Sequence, residues 1–275
     1  RIAAYDGGNI VVESLTGNVN AGNGNQGQAN VPVIAIDPVT GNVSSTSQLI
    51  AGSGILATTL PDAPISENVG NITVETPRGN IVASEGGIVQ AALNGNVTPG
   101  PKVTLTAGTQ DSAGNVIYAG NIDVTGSGVI GGTVDLKAAG TINGLVVARQ
   151  DTLIAAAQSF SGTVVAAGTA NVSAGGDISG TIIGVGGISA SGGGTVSASL
   201  ISQNVTVGGA QVGSGLATSV AASSTSQSAV QETTAQKTES TQQAAADDDE
   251  TKKRAGKRPL LAKSTGRVTV ILPTR

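Results

Sequence analysis

The chain has no cysteine, histidine, methionine or tryptophan, and only one phenylalanine and two tyrosines in 275 residues. Each absence removes something. Without cysteine there is no disulfide framework, and thiols give no reading of the redox compartment. Without histidine or cysteine, Ser-His-Asp and Cys-His catalysis are excluded, and a structural zinc site loses its usual ligands. Aromatic content of 1% argues against an ordinary globular core, where large rings supply much of the buried area. No run approaches the roughly 20 apolar residues of a membrane-spanning helix. The chain shows no signal peptide and starts at Arg1 inside a strand-like pattern, so it reads as a fragment or processed piece of something longer.

Glycine, by contrast, is abundant at 41 residues, with plentiful Val, Ile, Leu and Ala. Small and β-branched residues punctuated by glycine suit narrow, stacked layers. The net charge of −4 is unevenly spread: residues 1–216 carry −7 and residues 217–275 carry +3. The body is too acidic to favour nucleic acid, whose phosphates reward clustered Lys and Arg.

Gly-Asn-aliphatic triplets begin at Gly8, Gly17, Gly41, Gly70, Gly79, Gly95, Gly114 and Gly120. From Gly132 onward they give way to Gly-Thr-aliphatic, at Gly132, Gly140, Gly162, Gly180 and Gly194. Each opens a short alternating run, the signature of a half-buried strand bounded by turn residues. Gly and Asn tolerate the left-handed backbone region, so each triplet reads as a sharp turn. Three strand-and-turn units fill about 25 residues from Gly70 to Asn94, the expected length of one coil of a three-sided solenoid. Ile72, Val74, Ile81, Ala83 and Ile88 then point inward, and Thr73, Glu75 and Val82 outward. At about 22 residues per coil and 4.8 Å per stacked strand, residues 1–216 are expected to form a rod roughly 45–50 Å long. A propeller fits less well, because its blades need longer strands and periodic aromatics. Asn9, Asn18, Asn71, Asn80, Asn96, Asn115 and Asn121 are expected at coil corners, their side chains bonding between coils.

The expected organisation is a parallel β-helix over 1–215, with insertions near 23–50 and 55–69, a low-complexity linker over 216–265 and a terminal strand over 266–275. The first insertion, with Pro32 and Pro38 around an apolar strand, reads as a small flap. The second, with Pro61 and Pro64, reads as a corner loop. If a binding surface is displayed, these insertions are where it is expected, and the reading favoured over that one is plain variable loops. The linker is rich in Ala, Ser, Thr and Gln, with an acidic block (Asp247 to Glu250) beside a basic one (Lys252 to Arg258).

Candidate chemistry is sparse. Asp111, Asp123, Asp135, Asp151 and Asp177 are scattered singly, with Lys137 and Arg149 nearby, and a carboxylate pair of the glycosidase kind would need neighbouring coils to assemble it. The reading favoured over that one is isolated solvated charge. "GGTVDL" at Gly131 and "GNGNQG" at Gly22 match a calcium-binding nonapeptide only weakly. The sequons at Asn42, Asn71, Asn96, Asn171 and Asn204 follow from the repeat itself. The spacing of Thr ranks such as "VTLTAGT" is too irregular for ice. No catalytic, cofactor-binding or metal residue is assigned, and no cofactor is expected.

"GNITVETPRGNIVASEGGIVQ" (70–90), "AGGDISGTIIGVGGISASG" (174–192) and "STGRVTVILP" (264–273) resemble filamentous-haemagglutinin-like secreted proteins. The resemblance implies a right-handed parallel β-helix exported across the outer membrane by a partner pore protein, although no secretion domain is recognisable in this chain. It also implies an extracellular or bacterial outer-membrane-surface location, and it transfers no catalytic residue. The expected role is a non-enzymatic structural or adhesive solenoid that stacks head to tail, with Arg267 to Pro273 reaching a neighbouring subunit. Partners are then further copies, in an oligomer or filament, and a host-surface, glycan or matrix ligand. A polysaccharide-binding or polysaccharide-cleaving β-helix and a passive stalk are the alternatives.

Overall fold

The computed structural model describes residues 1–22, 28–37, 42–51, 54–96, 101–212, 217–218 and 268–272, and every regular element among them is a strand. The chain winds around three parallel walls, A, B and C. Wall C begins with β1 (Ile2–Tyr5), β6 (Ile55–Thr58) and β9 (Ile88–Ala91). It continues through the second halves of β13 (Ile122–Gly131), β15 (Ile142–Ala148), β17 (Phe160–Ala166) and β19 (Ile178–Gly184), then β21 (Ser199–Ile201) and β23 (Ala217–Thr218). Wall A stacks β2 (Ile10–Ser14), β7 (Ile72–Thr76), β10 (Lys102–Ala107), β14 (Thr133–Ala138), β16 (Thr152–Ala156) and β18 (Thr169–Ala174). The leading segments of β20 (Gly187–Val196) and β22 (Val205–Val212) complete it. Wall B takes β3 (Val19–Asn20), β8 (Ile81–Val82) and the first halves of β13, β15, β17 and β19. This is the parallel β-helix expected from the repeats.

The core follows from the period-2 alternation. Ile72, Val74, Ile81, Ala83 and Ile88 are all fully buried, as expected, while Glu75 is exposed. Coil-to-coil register stacks like on like: Ile10, Ile72, Val103 and Val134 share one inward column, and Ile142, Phe160 and Ile178 another. The single phenylalanine lies wholly inside, at 1% exposure. Each such side chain contributes about 1.5–3 kcal/mol by leaving water.

The coil length departs from expectation. Val134, Thr152, Ala170 and Ile188 are register partners in turn, so the later coils take 18 residues each, six per wall. Earlier coils are longer only because segments leave the walls between strands. Eight parallel steps on wall A, counting the terminal strand described below, give a stack about 40 Å high at ~4.8 Å each, shorter than expected.

Gly95 and Gly114 take the left-handed backbone as expected, at φ 78° and 87°, but other triplet glycines work differently. Gly70, Gly79 and Gly120 are not in the left-handed region. A Cβ on Gly70 would sit 2.0 Å from the Gly8 carbonyl oxygen, and one on Gly79 2.3 Å from that of Gly17. Glycine is required at these corners because consecutive coils touch backbone to backbone.

The two insertions are reshaped as well. Residues 55–58 are strand β6 in wall C, so the second insertion starts at Thr59. The first forms an antiparallel hairpin of β4 (Gln28–Ile36) and β5 (Val43–Ala51), with Pro32 in a two-stranded sheet that has only edges; Pro38 lies outside the described residues. The hairpin lays Ile34 and Ile36 over a second apolar cluster on the outside of wall C, built from Val89, Ile130, Val147, Val165, Ile183 and Ile201. Wall C is therefore apolar on both faces, as covered parallel strands are. A third excursion, β11 (Thr109–Gln110) and β12 (Val116–Tyr118), is a hairpin where a plain corner was expected at Gly114.

Candidate functional site

Two corner protrusions flank the outer face of wall A. One rises where wall C passes into wall A, from residues 59–69 and 92–96. The other is the β11–β12 hairpin, where wall A passes into wall B.

Polar side chains at the base fix the first protrusion. Asp6, buried and held at φ 49°, accepts a hydrogen bond from the Leu60 N–H at 3.0 Å. Thr59 Oγ1 accepts from the Leu93 and Asn94 N–H groups at 2.8 and 3.1 Å. The Asn94 amide donates to the carbonyls of Pro64 and Glu67, and that of Asn96 to Glu67. Thr58 Oγ1 donates to the Ala91 carbonyl at 2.7 Å. Buried polar groups tied in this way hold a loop in one shape, and this loop holds Leu60, Leu93 and Ile65 in water, Ile65 at 70% exposure.

The hairpin is fixed by its own turn. The Asp111 carboxylate accepts from the Ala113 and Asn115 N–H groups and from the Asn115 amide, all within 3.0 Å. Those bonds, the Asn115 amide first, hold the carboxyl below the usual carboxylate range. Val116, Ile117 and Tyr118 are exposed, and the Arg78 guanidinium stacks 4.5 Å from the Tyr118 ring centre.

Between the protrusions, the outward register of wall A runs Thr73, Thr104, Asp135, Leu153 in one row and Glu75, Thr106, Lys137, Ala155 in the next. Asp135 is only 4% exposed and takes a 2.7 Å ion pair from Lys102, with the Lys137 ammonium at 3.7 Å. Its other oxygen is buried without a partner.

The other aspartates singled out in the sequence are engaged separately. Asp123 binds Thr125 within its own turn. Asp151 and Asp177 cap corners, each accepting from a backbone N–H one coil on, Thr169 and Thr195, at 2.7 Å. The Arg149 N–H bonds to the Gly131 carbonyl, and burial lowers the affinity of its guanidinium for the proton. The structure thus brings Asp135 and Lys137 together and leaves Asp111, Asp123, Asp151 and Asp177 to local structure. Among the described residues no three His, Cys, Asp or Glu side chains gather as a metal site would require.

The asparagines split in the same manner. Asn9 and Asn71 form one corner column, in which Asn71 accepts from the Lys102 N–H. Asn18, Asn80 and Asn121 form a second, ending on Thr141. Asn96 and Asn115 instead serve the two protrusions. The sequence does carry a signal for the second hairpin that the triplet reading passes over: "DSAGN" at 111–115 is an Asp-initiated turn. The double burial of wall C is likewise visible as paired apolar residues, Val164-Val165, Ile182-Ile183 and Leu200-Ile201.

Comparison with curated proteins and with solved structures finds no match to either. The family comparison does find one, over the coils that carry the protrusion at 59–69. Residues 7–103 match the family described as filamentous haemagglutinin family outer membrane protein, which bears out the resemblance read from the sequence and its extracellular or outer-membrane-surface location.

Proposed function

We propose that the chain is a non-enzymatic, adhesive section of a surface-exposed β-solenoid, in which a stiff rod presents wall A and its two flanking protrusions to a ligand. The observation that carries the reading is the first protrusion: an ordered loop, pinned by Asp6, Thr59, Asn94 and Asn96, that keeps Leu60, Ile65 and Leu93 exposed. Exposed apolar groups on a pre-shaped loop are the anatomy of a contact site, since little ordering remains to be done on binding. Thr73, Thr104, Thr106 and Glu75 offer hydroxyls and a carboxylate between the protrusions, suited to the hydroxyls of a glycan.

The test is surface binding of the chain to immobilised glycans of mixed charge. Ile65→Ser and Tyr118→Ala are expected to weaken a positive signal at least tenfold without changing the unfolding midpoint by more than about a degree. Equal binding by both variants would remove the protrusions from the site. Reducing-end release that is lost in Asp135→Ala would replace adhesion by catalysis.

Head-to-tail stacking of copies belongs to the same reading. A contact between unlike ends does not close on itself and so propagates into a fibre. The stacked walls support it, because each coil already presents strand edges to the next.

A further inference from the structure

The terminal strand β24 (Val268–Leu272) pairs parallel with β2, in the register Ile10↔Val268, Val11↔Thr269, Val12↔Val270, Glu13↔Ile271 and Ser14↔Leu272. On its other side β2 pairs with β7, in the register Ile10↔Ile72 and Val12↔Val74. The tail thus occupies the seat that another coil's wall-A strand would take. Its sequence is made for that seat: Gly266-Arg267-Val268-Thr269-Val270 follows the spacing of Gly70-Asn71-Ile72-Thr73-Val74.

We infer that the outer edge of β2 is a docking edge for the last coil of a second copy of this chain, and that β24 is its own removable occupant. The inference rests on the head-to-tail reading above and names where that contact forms and what blocks it. It also reverses the role expected of the tail from the sequence: a strand seated on its own first coil holds copies apart.

Reach and tether length favour the seat in cis. Residues 219–267 separate β23 from β24. At about 3.3 Å per residue a chain of that length reaches up to about 160 Å. That exceeds the ~40 Å height of the stack, so the seat is within reach of the same chain, and a tethered group meets its site at an effective concentration up to the millimolar range. A second copy at micromolar concentration competes poorly with it. If β24 is seated nine-tenths of the time or more, docking is weakened about tenfold or more, because only the uncapped fraction is competent.

The full-length chain tests this. Because it has no cysteine of its own, Glu13→Cys with Ile271→Cys reports the seat directly, and Val11→Cys with Thr269→Cys guards against poor geometry in the first pair. Neighbouring strands bring Cα atoms within disulfide range. A disulfide within one chain is expected from at least one pair, and failure of both overturns the inference. Mass is then measured against concentration for the parent, the oxidised pair and Val270→Pro, which removes a ladder donor from β24. Val270→Pro is expected to associate at a concentration at least tenfold below the parent, and the locked chain not to associate. If parent, locked chain and Val270→Pro associate alike, the cap is wrong and head-to-tail assembly survives. If none associates at any concentration, the docking edge is wrong and the head-to-tail reading falls with it.

Discussion

The coils before Gly131 and those after it solve one packing problem in two ways. After Gly131 successive wall-A partners lie 18 residues apart from Val134 to Ile188, and nothing leaves the walls between Thr133 and Ile201. Before it, three excursions interrupt the coils, yet Ile10, Ile72 and Val103 still stack in register. The corners differ in step. The interrupted coils are laced by asparagine columns whose amides reach between coils, whereas the regular coils use Asp and Thr, each carboxylate accepting from one threonine a coil on. The comparison teaches that register is set by the inward columns and the corner glycines. Insertions are tolerated at corners because they close loops whose ends the walls already hold together. The proposed contact loops lie on the interrupted half because, among the described residues, it is there that the chain leaves the walls.

The largest break in that comparison comes from glycine. Gly180 lies in the regular half at φ 107°, and a Cβ there would sit 2.0 Å from the Gly162 carbonyl oxygen. Gly180→Ala has to push neighbouring coils apart as well as strain its own backbone, and is expected to cost more than ~3 kcal/mol. Gly95 in the interrupted half has φ 78° with nothing within 4 Å of its added Cβ. Gly95→Ala carries the backbone strain alone, about 1 kcal/mol. Denaturant midpoints decide it: equal losses would mean that coil contact is not what fixes the glycines.

A smaller effect sharpens the corner chemistry. Asn80 donates to Asn18 and accepts from the Asn121 N–H, joining three coils, while among the described residues the Asp177 carboxylate accepts from Thr195 alone, one coil on. Asn80→Ala is expected to cost about 1–2 kcal/mol and Asp177→Ala about half that, from one bond in place of two. If Asp177→Ala costs more, the columns are not what distinguishes the two halves.

Much of this was legible in the residues, and the features that were not have physical causes. Strict alternation gave the inward set Ile72, Val74, Ile81, Ala83 and Ile88, because a strand's side-chain period is two and half-burial leaves no other choice. Coil length was not legible from the same stretch, since Gly70 to Asn94 holds three walls together with the loop residues that follow Ala91. The corner role of Asn9, Asn18, Asn71, Asn80 and Asn121 followed from spacing, but Asn96 and Asn115 share their triplet and serve loops. A triplet records local turn chemistry and does not say what lies one coil away. The pairing of β24 with β2 joins residues more than 250 apart in sequence, and no local signal carries such a contact. Of the insertion expected at 55–69, residues 59–69 form the pinned loop on which the proposed contact site lies. In the other insertion, the β4–β5 hairpin lays Ile34 and Ile36 over wall C, a role written in the doubled aliphatics of wall C rather than in the insertion itself.

The smallest expected effect concerns the tip of the second protrusion. Asp111 is held below the ordinary carboxylate range by the Asn115 amide and the turn N–H groups. A folded-state value below the unfolded one means that this contribution is fully present above the unfolded value and is lost as pH falls through the folded one. Between neutral pH and about pH 5, well above the ordinary carboxylate value, the hairpin should not change. On further acidification the Ala113 and Asn115 amides should lose protection relative to the intrinsic exchange rate at each pH, while the amides of the regular coils, such as Val164 and Ile182, keep theirs, because no carboxylate holds their ladders. Asp111→Asn should show the loosened exchange already at neutral pH and lose the acid response. Hydrogen exchange followed residue by residue separates the two regions. If Val164 and Ala113 loosen together, the protrusion is coupled to the rod, and the division of labour between a stiff solenoid and locally held contact loops would have to be withdrawn.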